Sequence, residues 1–318
     1  MTAVCALFPG QGSQSVGMGR DLCASFPEAA AVFDEAGEVL GLDVRELCWR
    51  SDRAVLAATE NAQPALLTCA VAAWRALAAG GVTAAAAAGH SVGALGALVV
   101  AGCLGFGDAV ALSRLRGGLM AAAPGDGAMA AVLLSPAMPR ERVARIAEDC
   151  GVDLAADNSA RQVVYSGERE RMDRFRSGVG ARAKALDVSH AFHSRMMKPV
   201  EKDWRAAVDR VGIRPPRVPV GLISRGVFGT DPTAIRADLA ASLCAPVRWR
   251  EVMAGAGTHP RVALGPARSL AGMERGADAA VPVRAADTSA AVRSVLAALR
   301  RQADPHVIDR ADRQGSWA

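Results

Sequence analysis

Apolar positions along this chain follow two rhythms. Over 2–7 they run almost without interruption, as in a strand buried on both faces. From Asp21 to Trp49 they recur as helical stripes between polar faces. A helix is predicted from Thr59-Glu60-Asn61-Ala62-Gln63-Pro64-Ala65-Leu66, with capping candidates and a proline near its first turn. It runs through Leu67, Val71 and Trp74 and stops at Gly80-Gly81. A short apolar strand ending at Ala87-Ala88 then turns through Gly89-His90-Ser91-Val92-Gly93 into a helix over 94–100. The next helix starts at 105–108 and passes through Ala111, Leu115 and Leu119 before Pro124-Gly125-Asp126-Gly127 breaks it.

Beyond that break the pattern changes. Strands are predicted over 128–134, 152–155, 162–166 and 183–188, with helices over 140–148 and 168–177. The order βαββαβ within about sixty residues is the ferredoxin-like arrangement. It marks 128–188 as a small subdomain inserted into a large domain made of 1–127 and 189–302. The large domain resumes with a helix over 199–211, a strand over 218–223, a helix over 233–243 and a helix from Pro246-Val247-Arg248-Trp249. Strands over 262–267 and 281–285 and a helix over 290–301 follow, and the polar tail 303–318 is expected to fray. Alternating strands and helices predict an α/β fold with a mostly parallel, helix-covered sheet.

Composition narrows the classes. With 318 residues, 51% hydrophobic, the chain can bury one large core, and with only 4% aromatics that core must be mostly Ala, Val and Leu. The net charge of +5 comes from dispersed arginines without interleaved aromatics, which argues against nucleic-acid binding and fits a basic rim for an acidic partner. The seven cysteines form no C-x-x-C pair, so they read as buried hydrophobes in a reducing cytosol, not disulfides or metal ligands. No signal peptide is recognised, and no apolar run approaches the ~20 residues of a membrane span, so a cytoplasmic protein is expected.

Candidate chemistry centres on Ser91. Strand, tight turn and helix form the context in which G-x-S-x-G makes a nucleophile elbow. The turn lifts the Ser91 hydroxyl clear of the sheet and places the Val92 N–H at a helix N-terminus, facing a developing oxyanion. The Phe8-Pro9-Gly10-Gln11-Gly12-Ser13-Gln14 loop lacks the Gly-Lys-Ser/Thr ending of a P-loop and offers instead the Gln11 amide and approachable backbone. Ser91 needs a base. His90 is its neighbour and reads as a packed turn residue, while His259 and His306 lie in polar segments. His190 and His193, where the insert rejoins the large domain, are the candidates, and the sequence does not choose between them. No aspartate marks a triad acid, so a Ser–His dyad requires a backbone carbonyl to orient the imidazole. Arg114 and Arg116 are two apart and point to different sides of a helix. A buried Arg116 facing the cleft would hold a carboxylate with two parallel hydrogen bonds and select a dicarboxylic acyl group.

Taken together these segments resemble the malonyl-CoA:acyl-carrier-protein transacylases and the acyltransferase domains of polyketide synthases, over roughly 4–300. The resemblance is carried by the loop 8–14, by Gln63-Pro64-Ala65-Leu66, Gly89-His90-Ser91-Val92-Gly93, Arg116-Gly117 through Met120, and Ala191-Phe192-His193-Ser194. It implies an α/β-hydrolase-like large domain with the ferredoxin-like small one. It implies Ser91 as nucleophile, His193 as base, Gln11 and the Val92 N–H as oxyanion donors, and Arg116 as clamp on a malonyl carboxylate. Gln63 and Met120 would lie beside the clamp, and Asn158 near the site. Phe192 would occupy the space an α-methyl group needs. The partners implied are malonyl-CoA and an acyl carrier protein bearing phosphopantetheine, with no metal or redox cofactor; a monomer is the default expectation, since nothing in the sequence sets the oligomeric state. Two positions depart from the family pattern: Ala94 replaces the usual Glu, and Ala267 stands third in the late G-P-G turn, so its backbone must avoid positive φ. A serine hydrolase would share Ser91 and His193 without needing Arg116, and a carrier-docking subunit without catalysis would need neither.

Overall fold

The computed structural model describes residues 2–274, 281 and 283–303, and shows an α/β fold built on two sheets. The large sheet contains β1 (Thr2–Phe8), β2 (Val82–Gly89), β7 (Val220–Leu222), β8 (Val227–Gly229), β9 (Arg261–Leu264) and β10 (Val283–Ala286). Its order is β10-β9-β1-β2-β7-β8. All neighbours are parallel except β7 and β8, which form an antiparallel hairpin. The small sheet contains β3 (Gly127–Leu133), β4 (Asp153–Ser159), β5 (Gln162–Glu168) and β6 (Ala183–Ala185), in the order β4-β5-β3-β6 and antiparallel throughout.

β1 is central because its residues can be buried on both faces: Val4, Cys5, Ala6, Leu7 and Phe8 are all fully enclosed. Next to it, the small residues Ala86, Ala87, Ala88 and Gly89 of β2 let the covering helices approach closely. The longest helix, Thr59–Ala79, packs on this sheet and against helix Phe106–Ala121. A second core fills the small sheet and its helices Arg140–Cys150 and Arg169–Val179, where Tyr165 and Phe175 meet with ring centroids 4.9 Å apart. Among the described residues no helix is long and apolar enough to cross a membrane. All seven cysteines are free thiols.

The departures from expectation have local causes. The hairpin strand β8 was not anticipated; it follows a turn closed by the Arg225 and Gly226 N–H groups donating to the Leu222 carbonyl, with Gly226 at φ 75°. The strand expected over 183–188 pairs only over Ala183–Ala185, after which the Leu186 N–H still reaches the Met129 carbonyl. Pro64 sits inside its helix, beyond the first turn. Its missing N–H leaves the Glu60 carbonyl without its helical donor, and Arg114 Nη1 takes that carbonyl at 2.8 Å. The polar tail from 304 onward, with His306, lies outside the described residues.

Helices Thr59–Ala79 and Phe106–Ala121 come together because residue 117 is glycine. A Cβ there would stand 2.6 Å from the Thr59 carbonyl oxygen and 2.7 Å from Glu60 Cα, both backbone. One residue on, a Cβ at Gly118 would meet nothing. The two neighbours should therefore respond oppositely in urea unfolding. Gly118→Ala should stabilise by about 0.5–1 kcal/mol through helix propensity and a less disordered unfolded chain. Gly117→Ala should destabilise by roughly 1–3 kcal/mol through overpacking. Equal shifts for the two would contradict the packing described.

Candidate active site

The elbow between β2 and helix Gly93–Val100 is dictated by contact distances. A Cβ on Gly89 would lie 1.9 Å from the Gly93 carbonyl carbon, and one on Gly93 would lie 2.4 Å from the Phe8 carbonyl oxygen. Only glycine fits either position. The His90 N–H donates to the Phe8 carbonyl at 2.9 Å, tying the turn to β1. Ser91 is then held at φ 52°. Among the described residues one other non-glycine residue has positive φ, and it is His193 at 58°. Such conformations cost of order 1–3 kcal/mol each and persist where surrounding structure imposes them.

Their side chains meet. Ser91 Oγ and His193 Nε2 are 2.8 Å apart, and His193 Nδ1 lies 3.1 Å from the Ala245 carbonyl oxygen. A carbonyl only accepts, so Nδ1 carries the proton and Nε2 is left as the acceptor for the Ser91 hydroxyl. The His193 loop is fixed by Ser194, whose hydroxyl donates to the Ala191 carbonyl at 2.6 Å and accepts from the Met196 N–H at 3.1 Å. Burial, then the Arg116 cation and lastly the neighbouring His90 imidazole, pull the His193 pKa down to about 3, against the opposite pull of the Ala245 and Ser242 backbone. The imidazole is thus a neutral base across the whole neutral range.

Arg116 is 1% exposed. Its Nη1 donates to Gln63 Oε1 at 2.9 Å and its Nη2 reaches Ser91 Oγ at 3.3 Å. Gln63 completes the arrangement by donating from Nε2 to Met120 Sδ at 3.2 Å. Burial lowers the guanidinium pKa to about 10, so it stays cationic at neutral pH. No carboxylate among the described residues pairs with it. A buried cation without a counter-ion is costly, and beside a nucleophile it is a ready place for a ligand's carboxylate.

These groups line a cavity of about 280 Å³ whose wall includes Phe192 and Asn158. His190 does not reach Ser91: it lies outside, with Nδ1 2.8 Å from Ser189 Oγ and its ring stacked on Phe192 at 6.2 Å. Of the two histidines left open by the sequence, His193 is the one the structure brings to the serine. His259 is exposed. Gln11 lines the cavity, but its amide is turned away, 3.4 Å from the Ala57 carbonyl and 3.3 Å from Thr59 Oγ1. Its backbone N–H and that of Val92 have no hydrogen-bond acceptor among the described residues. The Gln11 side-chain amide is thus engaged with the 57–59 segment. A second cavity, of about 530 Å³, lies past Gly12 and Ser269 and contains none of the groups above.

His90 does more than pack the turn. Its Nε2 is 2.8 Å from Asn158 Oδ1, its ring lies against Trp249 at 5.7 Å, and it lines the cavity. Asn158 Nδ2 in turn donates to Gln162 Oε1 at 2.9 Å. This polar chain and the Ala245 carbonyl carry no sequence motif, because one depends on a bulged strand and the other is main chain. Ala94 is buried and lines a small cavity with Leu98, Val220 and Asp238, and it is not part of the wall that Ser91 shares. At the late turn Gly265 takes the positive φ, 63°, and Ala267 does not.

Comparison with known proteins adds to this geometry. A family model described as "Acyl transferase domain" matches residues 6–265. The chain is 37% identical over 285 residues to the malonyl CoA-acyl carrier protein transacylase of Bacillus subtilis, covering 86% of this chain and 90% of that protein. It is 37% identical over 286 residues to the Escherichia coli K12 protein of the same name, covering 86% and 93%. Among solved structures, an acyl-carrier-protein-S-malonyltransferase from Bartonella henselae superimposes with a TM-score of 0.88 at 30% identity, over 94% of this chain and 100% of that one. A malonyl-transacylase in complex with a type II PKS acyl-carrier protein gives 0.87 at 32% identity, over 93% and 99%.

Two measurements check the geometry directly. Replacing Ser91 removes the hydroxyl in both Ser91→Ala and Ser91→Gly, but only glycine relieves the left-handed backbone. Ser91→Gly should be more stable than Ser91→Ala by about 0.5–1.5 kcal/mol in urea unfolding, and the reverse order would contradict the strain. His193 has a folded pKa below its unfolded value of about 6.5, so the folded state binds fewer protons. Its contribution is present above pH 6.5 and is lost as the pH falls from 6.5 towards 3, at up to about 1.4 kcal/mol per pH unit. Wild type should therefore lose more stability than His193→Gln between pH 7 and pH 5. Parallel losses would show that His193 is not held neutral.

Proposed function

The chain belongs to the acyl transferase domain family that includes the malonyl-CoA:acyl-carrier-protein transacylases, and from that premise we propose that it moves malonyl groups from coenzyme A to the phosphopantetheine thiol of an acyl carrier protein, for fatty-acid or polyketide synthesis. The observation that carries the substrate class is Arg116: a buried guanidinium with no carboxylate partner among the described residues, its Nη2 3.3 Å from the nucleophile oxygen. A malonyl thioester supplies such a carboxylate, one methylene away from the carbonyl carbon that Ser91 attacks.

The steps follow from proton positions. His193 Nε2 takes the Ser91 proton as Oγ adds to the thioester carbon. The oxygen that becomes negative is received by the backbone N–H groups of Val92 and Gln11. As the C–S bond breaks, His193 returns the proton to the coenzyme A sulfur, leaving malonyl on Ser91. The carrier thiol then gives its proton to His193 and attacks the ester, and collapse of the intermediate restores the Ser91 hydroxyl. Nucleophile, base, oxyanion donors and carboxylate clamp are all groups of this chain, so neither a metal nor a redox cofactor has a step to perform. Gln63 and Met120 hold Arg116 in position. Phe192 on the cavity wall disfavours an α-methyl group, a preference of only ~1–3 kcal/mol. Asn158 supports the site through His90.

The finer architecture belongs to the same reading. The large body (1–127 and 189–302) is α/β-hydrolase-like, with β2, the elbow and its helix in the characteristic succession. The insert 128–188 is ferredoxin-like: its strands in chain order stand 2-3-1-4 across the sheet. The excess of basic residues suits an acidic carrier protein, and the seven free thiols suit a reducing, cytoplasmic setting.

The clamp is tested by comparing rates of Ser91 acylation from malonyl-CoA and acetyl-CoA, read by intact-protein mass. Arg116→Ala should slow malonyl loading by about 30- to 1,000-fold, the worth of a charge-assisted pair, and leave acetyl loading unchanged or faster. Equal losses with both donors would remove Arg116 from substrate selection.

A further inference from the structure

Strand β4 touches three segments that bring the catalytic groups together, and its own irregularities make this possible. Its register with β5 slips between Leu154 and Ala156 and again between Asp157 and Ser159, leaving Ala155 and Asn158 unpaired within the sheet. Such bulges redirect residues out of the ladder. The Ala155 carbonyl accepts from the Val247 N–H at 2.9 Å, and the Asp157 N–H donates to the Val247 carbonyl at 2.9 Å. Asn158 reaches His90, the residue before Ser91. At the other end Asp153 receives the Arg195 N–H at 2.9 Å and its Nε at 3.0 Å, two residues after His193.

The pairing with Val247 matters because Ala245 orients His193. Only Pro246 separates them, and its ring restricts both its own φ and the backbone of the residue before it. Displacement of Val247 is therefore passed on to the Ala245 carbonyl. Asp157 locks this contact from the side-chain direction. It is 5% exposed and lies between two guanidiniums. Oδ1 accepts from Arg140 Nη1 at 2.7 Å within the small sheet's own layer. Oδ2 accepts from Arg250 Nε at 3.0 Å and lies 2.9 Å from Nη2 of the same guanidinium, across to the large body.

We propose that Asp157 is a positioning residue: by holding Arg250 across the boundary between the two sheets it keeps the Val247 segment on β4, and so fixes the Ala245 carbonyl that directs the His193 imidazole at Ser91. The inference concerns activation of Ser91. It rests on the malonyl-transfer reading only where malonyl-CoA is the probe.

Two probes separate the claims. A fluorophosphonate reports Ser91 activation alone, since Oγ bonds to phosphorus, fluoride leaves and His193 accepts the proton. Asp157→Asn keeps the shape and removes the charge, and Arg250→Gln breaks only the half that crosses the boundary. Each should slow fluorophosphonate labelling by about ten-fold and lower kcat for malonyl transfer in step, with KM for malonyl-CoA within two-fold. The double variant should be no slower than the slower single, because both act through one contact. Arg171→Gln, which removes an exposed pair with Glu168 elsewhere on the small layer, should leave both rates unchanged. If Asp157→Asn does not fold, Arg250→Gln decides alone. Wild-type labelling rates in the folded variants would overturn the proposal. A wild type that reacts with fluorophosphonate but is never loaded by malonyl-CoA would instead overturn the functional reading.

Discussion

Everything at this site depends on two side chains being held in backbone conformations they do not favour. Ser91 and His193 both occupy the left-handed region, and their reactive atoms stand 2.8 Å apart. Neither conformation is stable alone, so the surrounding chain must impose both. Gly89 and Gly93 fold the elbow onto itself with no room for a Cβ, and the Phe8 carbonyl pins it to β1. Ser194 closes the histidine loop with two hydrogen bonds. The strain is local; the structure that sustains it extends across both sheets.

The second constraint is charge. Arg116 and His193 occupy the same buried space, and only one of them is charged at neutral pH. Burial works against both, but it takes the guanidinium down only to about 10 and the imidazole to about 3. The result is a permanent cation beside a neutral base: one group to hold an anion, the other free to accept a proton. Gln63 makes the separation workable, since its amide oxygen faces the guanidinium and its amide nitrogen faces Met120. The small residues at the core serve the same end. Gly117 lets two helices approach until Arg116 and Gln63 meet, and the alanines of β2 keep the elbow helix close to the sheet.

Where residue type determines the outcome, the sequence could be read. The unbroken apolar run of β1, the glycine pair around Ser91 and the alternation of strands and helices follow from sterics and burial, and they placed most elements within a residue or two. Ser91, Arg116, Gln63, Met120 and His193 each lie in a motif, and they meet in one cavity. What could not be read depends on main chain or on tertiary register. The Ala245 carbonyl that orients His193 has no side-chain signature. The bulges in β4 that accompany the Asn158–His90 contact belong to tertiary register and have no local signature. Residue chemistry alone leaves His190 and His193 open, and only the motif singles out His193, because a loop conformation decides which reaches Ser91; the antiparallel β8 depends on three residues after a tight turn. Gln11 shows the same limit: its residue type suggests a side-chain donor, yet its amide lies against the Ala57 carbonyl and Thr59 Oγ1.

Malonyl transfer requires an ester at Ser91 that passes to a carrier thiol in preference to water. The most direct measurement loads the protein with malonyl-CoA, removes excess donor, locates the adduct by peptide mass mapping, and follows its discharge with and without a holo acyl carrier protein. The account predicts a malonyl group on Ser91 that is stable in buffer for the duration of the chase and leaves at once when the carrier is added, reappearing on the carrier's phosphopantetheine. An adduct that hydrolyses at the same rate whether or not the carrier is present, with nothing gained by the carrier, would contradict it.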